Sequence, residues 1–271
     1  MAEGSGDYEL TIRAPVPPGP DAAPDAPIEE VVVEGSGQYD FATGHWRHSV
    51  DLAPIFEIGG GLPGEFSSEV EYAFVDDTFY ITSDLLAAVT DPSTPTVTAE
   101  SIDQFYGPDG LEAGGVAVLT AGLAANPIGM VAPTAATTDI ADVDDQAPVQ
   151  YRGSLSLADA YGAPPLTGIT PEISERSTED AHYGLLGTDP EPAADLVVSV
   201  GFAFENDVLG LVSNGVDYAE LGDLLADELP DADQLAGEFE ATVHYRPGAT
   251  FDYGPPSRSE SVTAVRYTTE F

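Results

Sequence analysis

The sequence predicts a mainly β, α+β domain: a curved antiparallel sheet, or half-barrel, whose apolar face is covered by a few short helices. Three observations lead there. Apolar and polar residues alternate in one run after another, which is the period of a half-buried strand. Glycine and proline, 28 and 23 residues, punctuate those runs. Helical periodicity is confined to short stretches, so the sheet dominates and the helices serve as its cover. The 271 residues suit a single domain over 1–271, with 163–192 as a candidate long excursion.

Taken in order, Tyr8, Leu10 and Ile12 share one face of the first run, and Glu9, Thr11 and Arg13 the other. A proline-rich stretch, 15–27, separates it from a run at Ile28 to Glu34. Trp46, His48, Val50 and Leu52 then alternate with Arg47, Ser49 and Asp51. Val70, Tyr72 and Phe74 follow against Glu69 and Glu71, and Asp76-Asp77 predicts a hairpin turn into Phe79 to Ile81. A helix over Ser83 to Val89 has Ser83 or Asp84 as its N-cap and ends before Asp91-Pro92. Leu111 to Ala125 is a small-residue helical segment weakened by Gly114, Gly115 and Gly122.

In the second half, Val149 to Leu157 is the clearest strand, with Val149, Tyr151, Leu155 and Leu157 on its apolar face. Leu196 to Phe204 is apolar nearly throughout, which predicts burial on both faces. A turn at Glu205-Asn206-Asp207 leads into Val208 to Val212. Asp217 to Leu229 carries Leu221, Leu224, Leu225 and Leu229 on one helical face and stops at Pro230. Phe239, Ala241, Val243 and Tyr245 alternate with polar residues, and Ser261 to Tyr267 makes a last strand.

Charge excludes partners. Forty-eight Asp and Glu stand against seven basic residues, all Arg, for a formal net charge of −41. Such a chain has almost no cations with which to displace the counterions of nucleic acid, and an anionic membrane surface repels it. Self-repulsion of this size destabilises a compact state at low salt, whereas a Debye length of about 3 Å at 1 M salt removes most of it. A saline habitat is therefore expected, with a merely acidic exported protein as the alternative. Cysteine is absent, so no disulfide, zinc thiolate or cysteine nucleophile exists here.

No run of about 18 apolar residues offers a membrane span. Residues 1–7 lack the regions of a signal peptide. Met-Ala-Glu-Gly-Ser-Gly reads as the head of a mature segment cut after a signal peptide or lipobox. The expected location is the cell envelope or the exterior, with a lipid anchor as an option for the precursor.

The order of these pieces resembles the LolA-like fold, in particular the LppX/LprG type of actinobacterial envelope lipoproteins. "GSGQYDFATGHWRHSVDL" is similar to the paired first strands of that group, and "EVEYAFVDDTFYITSDLL" to its strand, tight turn and strand. "NPIGMVAPTAATTDIADVDDQAPVQYRGSLSLADAYG" resembles the segment from a helix start to the next long strand. "LVVSVGFAFENDVLGLVS" and "FDYGPPSRSESV" resemble the later hairpin and the closing strand. Together they cover most of residues 28–265. Two departures stand out: Asn126-Pro127 replaces an acidic residue before proline, and the lipobox cysteine is missing.

The resemblance implies a half-barrel enclosing an apolar cavity, which binds a lipid or acylated molecule and carries it through the envelope. An acyl chain there gains about 0.8 kcal/mol per buried CH₂. The lining expected from the apolar faces is Val50, Leu52, Tyr72, Phe74, Tyr151, Leu155, Val198 and Phe202. The partner expected is a lipid or lipidated molecule, with an envelope protein as a further candidate and no cofactor.

Catalytic patterns are thin. His45 and His48, three apart on a strand, point to opposite faces and share no metal. His182 and His244 are isolated, and no H-E-x-x-H, G-x-S-x-G or P-loop pattern occurs. Calcium is the best inorganic candidate, through Asp139, Asp142, Asp144 and Asp145. The EF-hand pattern fails there, because Ala147 and Gly153 take the places of its glycine and glutamate. Trp46 is read as a core anchor. The chain is thus expected to bind without catalysing. A sensor or structural interaction protein on the same scaffold is the first rival, and a hydrolase using Asp or Glu the second.

Overall fold

A computed structural model describes residues 4–16, 29–58, 66–90, 95–106, 110–111, 115–144, 149–161, 163, 169–186, 191–205, 208–224, 237–256 and 259–265. The core of the fold is one open sheet of twelve strands. In chain order they are β1 (Ser5–Val16), β2 (Glu29–Asp40), β3 (His45–Asp51), β4 (Glu69–Val75), β5 (Thr78–Thr82) and β6 (Thr96–Ala99). The remainder are β7 (Thr138–Asp144), β8 (Val149–Ser156), β9 (Val197–Glu205), β10 (Val208–Asp217), β11 (Glu238–Pro247) and β12 (Glu260–Ser261). They lie side by side as β12-β6-β5-β4-β3-β2-β1-β11-β10-β9-β8-β7. Every pairing is antiparallel except the short β12–β6 pair, so the sheet is mixed. The chain is mainly β with several short helices, as the alternation predicts.

Register follows from the apolar period. Tyr245, Tyr8, Gly37, His48, Tyr72, Ile81 and Val97 stand directly opposite one another across six pairings. All of their side chains therefore share one face. The turn between β4 and β5 has Asp76 and Asp77 at φ 50° and 59°, the primed geometry that suits a two-residue hairpin.

The α-helices among the described residues are α1 (Ala53–Ile58), α2 (Asp84–Val89), α3 (Ala132–Ala136), α4 (Leu157–Tyr161), α5 (Pro171–Leu186) and α6 (Tyr218–Leu224). The helical layer lies on the apolar face. Its centre is an uncharged segment: a 3₁₀ stretch at Ala117–Ala125, a 3₁₀ turn at Gly129–Val131 and a short helix, α3 (Ala132–Ala136). The first stretch touches β1, β4 and β11. The longest helix, Pro171–Leu186 (α5), packs on it and on the following turn. Backbones approach closely there. A Cβ on Gly122 would enter the Tyr72 ring, and one on Gly129 would meet the carbonyl of Ser177. No single described helix is long and apolar enough to cross a membrane. Ala117–Ala125 and Gly129–Ala136 together, bent by 52°, meet the length and composition of a span. Here that pair sits in the core, with Leu119, Leu123, Met130 and Val131 buried.

Several expectations shift. Leu196 to Phe204 is not buried on both faces: Val198, Val200 and Phe202 are buried on one face of β9, whereas Val197, 44% exposed, and Ser199 lie open on the other, where Ala203 alone among the described residues is buried. The strand predicted to Leu157 ends at Ser156, because Leu157 begins a short helix to Tyr161 (α4). The strand predicted over Ser261 to Tyr267 shrinks to Glu260–Ser261 followed by a 3₁₀ turn, and residues 266–267 lie outside the described ones. The 111–125 helix is a 3₁₀ stretch beginning at Ala117, where small residues and Gly122 favour tight backbone contact over α-helical packing. The helix predicted at 217–229 is described as Tyr218–Leu224, beyond which lies residue 225, outside the described set. The turn residues 206–207 also lie outside it.

Candidate functional site

Seven of the eight residues expected to line a cavity are buried: Val50, Leu52, Tyr72, Phe74, Leu155, Val198 and Phe202. Tyr151 is half-buried, stacked on Phe202 at 5.3 Å between ring centroids. The sheet brings all eight to its apolar face, where the seven join one continuous core with Leu119, Leu123, Met130 and Leu185 from the helical layer. Trp46 is buried as expected, and it stacks on His48 with ring centroids 5.1 Å apart.

That core is held by polar tethers. His48 projects from β3, and its Nε2–H donates to the Gly122 carbonyl at 2.9 Å. Its Nδ1 must then accept the Tyr8 hydroxyl, 2.7 Å away, because a carbonyl can only accept. Burial lowers the His48 pKa from 6.5 to about 3, with the Gly122 bond opposing the shift. Tyr245 from β11 donates to the Pro127 carbonyl, and Asn214 from β10 donates to that of Met130 at 3.3 Å. Three side chains of the sheet thus satisfy carbonyls that a short 3₁₀ stretch cannot satisfy itself. Asn126 caps the next turn, accepting the N–H groups of Ile128 and Gly129.

Beneath α5 the satisfaction is incomplete. His182 is buried against the Tyr161 ring, and among the described residues neither of its ring nitrogens has a hydrogen-bond partner. Burial lowers its pKa from 6.5 to about 4. Asp180 is raised from 3.8 to about 7 by burial; Arg176 opposes the shift, while Glu179 and Asp103 add to it.

The opposite, polar face carries a groove of about 430 Å³. Its origin is local. Glu9, Ser36, Ser49 and Glu71 stand opposite one another on β1, β2, β3 and β4. Two short serines thus lie between two long glutamates, whose Cα atoms are about 14 Å apart across three strand spacings. The neighbouring row runs Arg246, Asp7, Gln38 and Arg47, and Glu69 closes the other side. A second recess of about 460 Å³ shares Glu9 and Ser36 and continues past Thr11 and Glu34.

Side chains around the groove hold one another. Arg47 Nε donates to Gln38 Oε1 at 3.1 Å, and Gln38 Nε2 donates to Asp7 Oδ1 at 3.1 Å. Arg246 pairs with Glu9 at 2.8 Å. The segment after β11 crosses beside the groove: the Tyr253 hydroxyl donates to Glu71 at 3.1 Å, and the Arg47 guanidinium lies 5.3 Å from the Tyr253 ring centre.

No family model, no curated protein and no solved structure matches the chain.

Among the described residues no group of three His, Asp or Glu could hold a metal ion. Asp139, Asp142 and Asp144 fall on β7, an edge strand, with their side chains outside the described ones, and Asp145 lies outside the described residues. His45 and His48 do face opposite ways: His48 is buried, whereas His45 sits at the surface beside Asp76. Sequence reasoning missed the groove because its residues read as an ordinary solvated face. The available signal was compositional, since Arg47 and Arg246 are two of only seven cations in the chain.

Proposed function

We propose that the chain is a non-catalytic binding protein of the envelope or exterior, engaging a polar ligand through the groove on the outer face of its sheet. The observation that carries this reading is a concave site of about 430 Å³ whose polar side chains are already tied together. Pre-arranged groups lose less freedom when a ligand arrives. On the apolar face the described side chains meet the helical layer in a shared core. Asp180, whose carboxyl burial raises, lies in the helical layer on the other side of the sheet.

A second reading keeps the carrier expectation: a LolA-like half-barrel that takes up a lipid or lipidated molecule when its cover lifts, with an envelope protein as donor or acceptor. The make-up of the cover favours it. Small-residue 3₁₀ turns hang from three side-chain hydrogen bonds, and buried His182 on α5 has no hydrogen-bond partner among the described residues. Native mass spectrometry of the purified protein separates the two readings. A bound polar molecule that disappears in a groove-filling Ser49→Tyr variant supports the first. A bound lipid that survives in that variant supports the second and overturns the first.

A further inference from the structure

We infer that the groove takes a neutral oligosaccharide, a statement about ligand class that rests on the groove being the binding site. Against a surface of carboxylates, which only accept hydrogen bonds when ionised, the groove gathers donors. Arg47, Arg246 and Gln38 stand in one row, and the hydroxyls of Ser36 and Ser49 form the floor of the next. Glu9, Glu71 and Asp7 supply acceptors beside them. A ligand hydroxyl both donates and accepts, so a polyol uses both halves of this set, whereas a simple cation or anion uses one and is repelled by the other.

Charge argues the same way. A cationic ligand would meet two guanidinium groups at the groove, and an anionic one would meet Asp7, Glu9, Glu69 and Glu71. Neither attraction survives the molar salt that this composition suits, because screening then acts within about 3 Å. Hydrogen bonds of a neutral ligand in a fixed cradle are much less affected. Shape fits as well. The groove lies within the ~300–1,000 Å³ of ordinary small-molecule sites. The recess that shares Glu9 and Ser36 extends it along β1 from Asp7 towards Thr11, about 13 Å of strand. That is the span of a short chain of sugar rings. Tyr253, whose hydroxyl donates to Glu71 and whose ring lies under the Arg47 guanidinium, holds these two groove residues in place.

The test is calorimetric titration of the full chain with neutral gluco-, manno- and galacto-oligosaccharides, and with spermidine, each at low and at molar sodium chloride. Wild type is compared with Ser49→Tyr, which fills the groove, with Gln38→Ala, which removes a donor, and with Glu172→Gln on α5 as an off-groove control. The inference expects saccharide binding that changes little with salt. That binding should weaken at least about tenfold in both groove variants, roughly 1.4 kcal/mol, and stay unaltered in the control. Spermidine binding that salt abolishes and Ser49→Tyr weakens, with no saccharide bound, overturns the ligand class and leaves the groove as the site. Saccharide binding unaffected by either groove variant overturns the inference and the groove reading together, as does the absence of any binding. Gln38→Ala keeps the test decisive should Ser49→Tyr fail to fold.

Discussion

On one face of the sheet Tyr8, Trp46, His48 and Tyr72 meet a layer of backbone, with Gly122 and Gly129 allowing contact that a Cβ would block. On the other face the same strands present Asp7, Glu9, Gln38, Arg47 and Ser49 to water and to one another. Alternate residues of β1 to β4 thus serve opposite purposes. The closed face spends its polar groups on tethering the cover: His48 to Gly122, Tyr245 to Pro127 and Asn214 to Met130. The open face leaves its polar groups around a concavity. Period-two alternation therefore divides a packed face from a polar, concave one within a single sheet, and perturbations should divide in the same way.

The largest effect is expected at the closest backbone contact. Gly129→Val pushes a side chain into the Ser177 carbonyl and should cost about 3 kcal/mol or more, or abolish folding, by chemical denaturation. A comparable insertion on the open face, Gly201→Ala, meets only the movable Ser213 hydroxyl and should be far milder. Equal losses at both positions would break the comparison.

Salt comes next. With a net charge of −41, raising sodium chloride from low to molar concentration should add roughly 2 kcal/mol, about 5 °C in Tm. A flat response would mean that the carboxylates are not mutually destabilising and that salt adaptation is the wrong reading.

The third effect carries a pH signature. His182→Leu removes two unpartnered nitrogens from the core and should stabilise by about 1 kcal/mol at neutral pH. The folded His182 resists protonation down to about pH 4, against 6.5 when free. Its neutral burial therefore favours the folded state above pH 6.5, and that advantage is lost as pH falls towards 4. The gain of His182→Leu over wild type should grow across that window. Asp180 has the opposite sign: raised from 3.8 to about 7, it favours folding below pH 3.8, and the benefit is lost as pH rises through 7. Asp180→Asn should gain on wild type over that rise. Parallel pH curves for variant and wild type would contradict the burial of either group.

Smallest is the expected change at the groove floor. Ser49→Tyr points to solvent and should alter stability by no more than about 0.5 kcal/mol while blocking the groove. A large loss would make Ser49 part of the packed structure and sharpen the boundary between the faces.

Strand faces were legible in the sequence wherever one side was apolar and the other charged, as at Tyr8 to Arg13 or Phe239 to Arg246. Helix α5 was not. Its buried positions include Ser174, Ser177, Thr178, Asp180 and His182, so no apolar stripe marks it, and 163–192 looked like an excursion. The uncharged stretch after Gly115 was visible, but its winding was not, because 3₁₀ geometry depends on partners such as His48 and Tyr245 that are remote in sequence. The groove was hidden for a related reason. Its floor and rim come together only through the register of four strands, and no residue among them is unusual alone.

The account stands or falls on whether the apolar face is closed to guests. Trp46, the only tryptophan, lies buried in that face beside His48 and serves as an internal donor for energy transfer to cis-parinaric acid, a fluorescent fatty acid. Titrating that probe below its micelle concentration should leave Trp46 emission unquenched and unshifted. Saturable quenching with one probe per chain would place an acyl chain beside Trp46 and return the function to the interior of the fold.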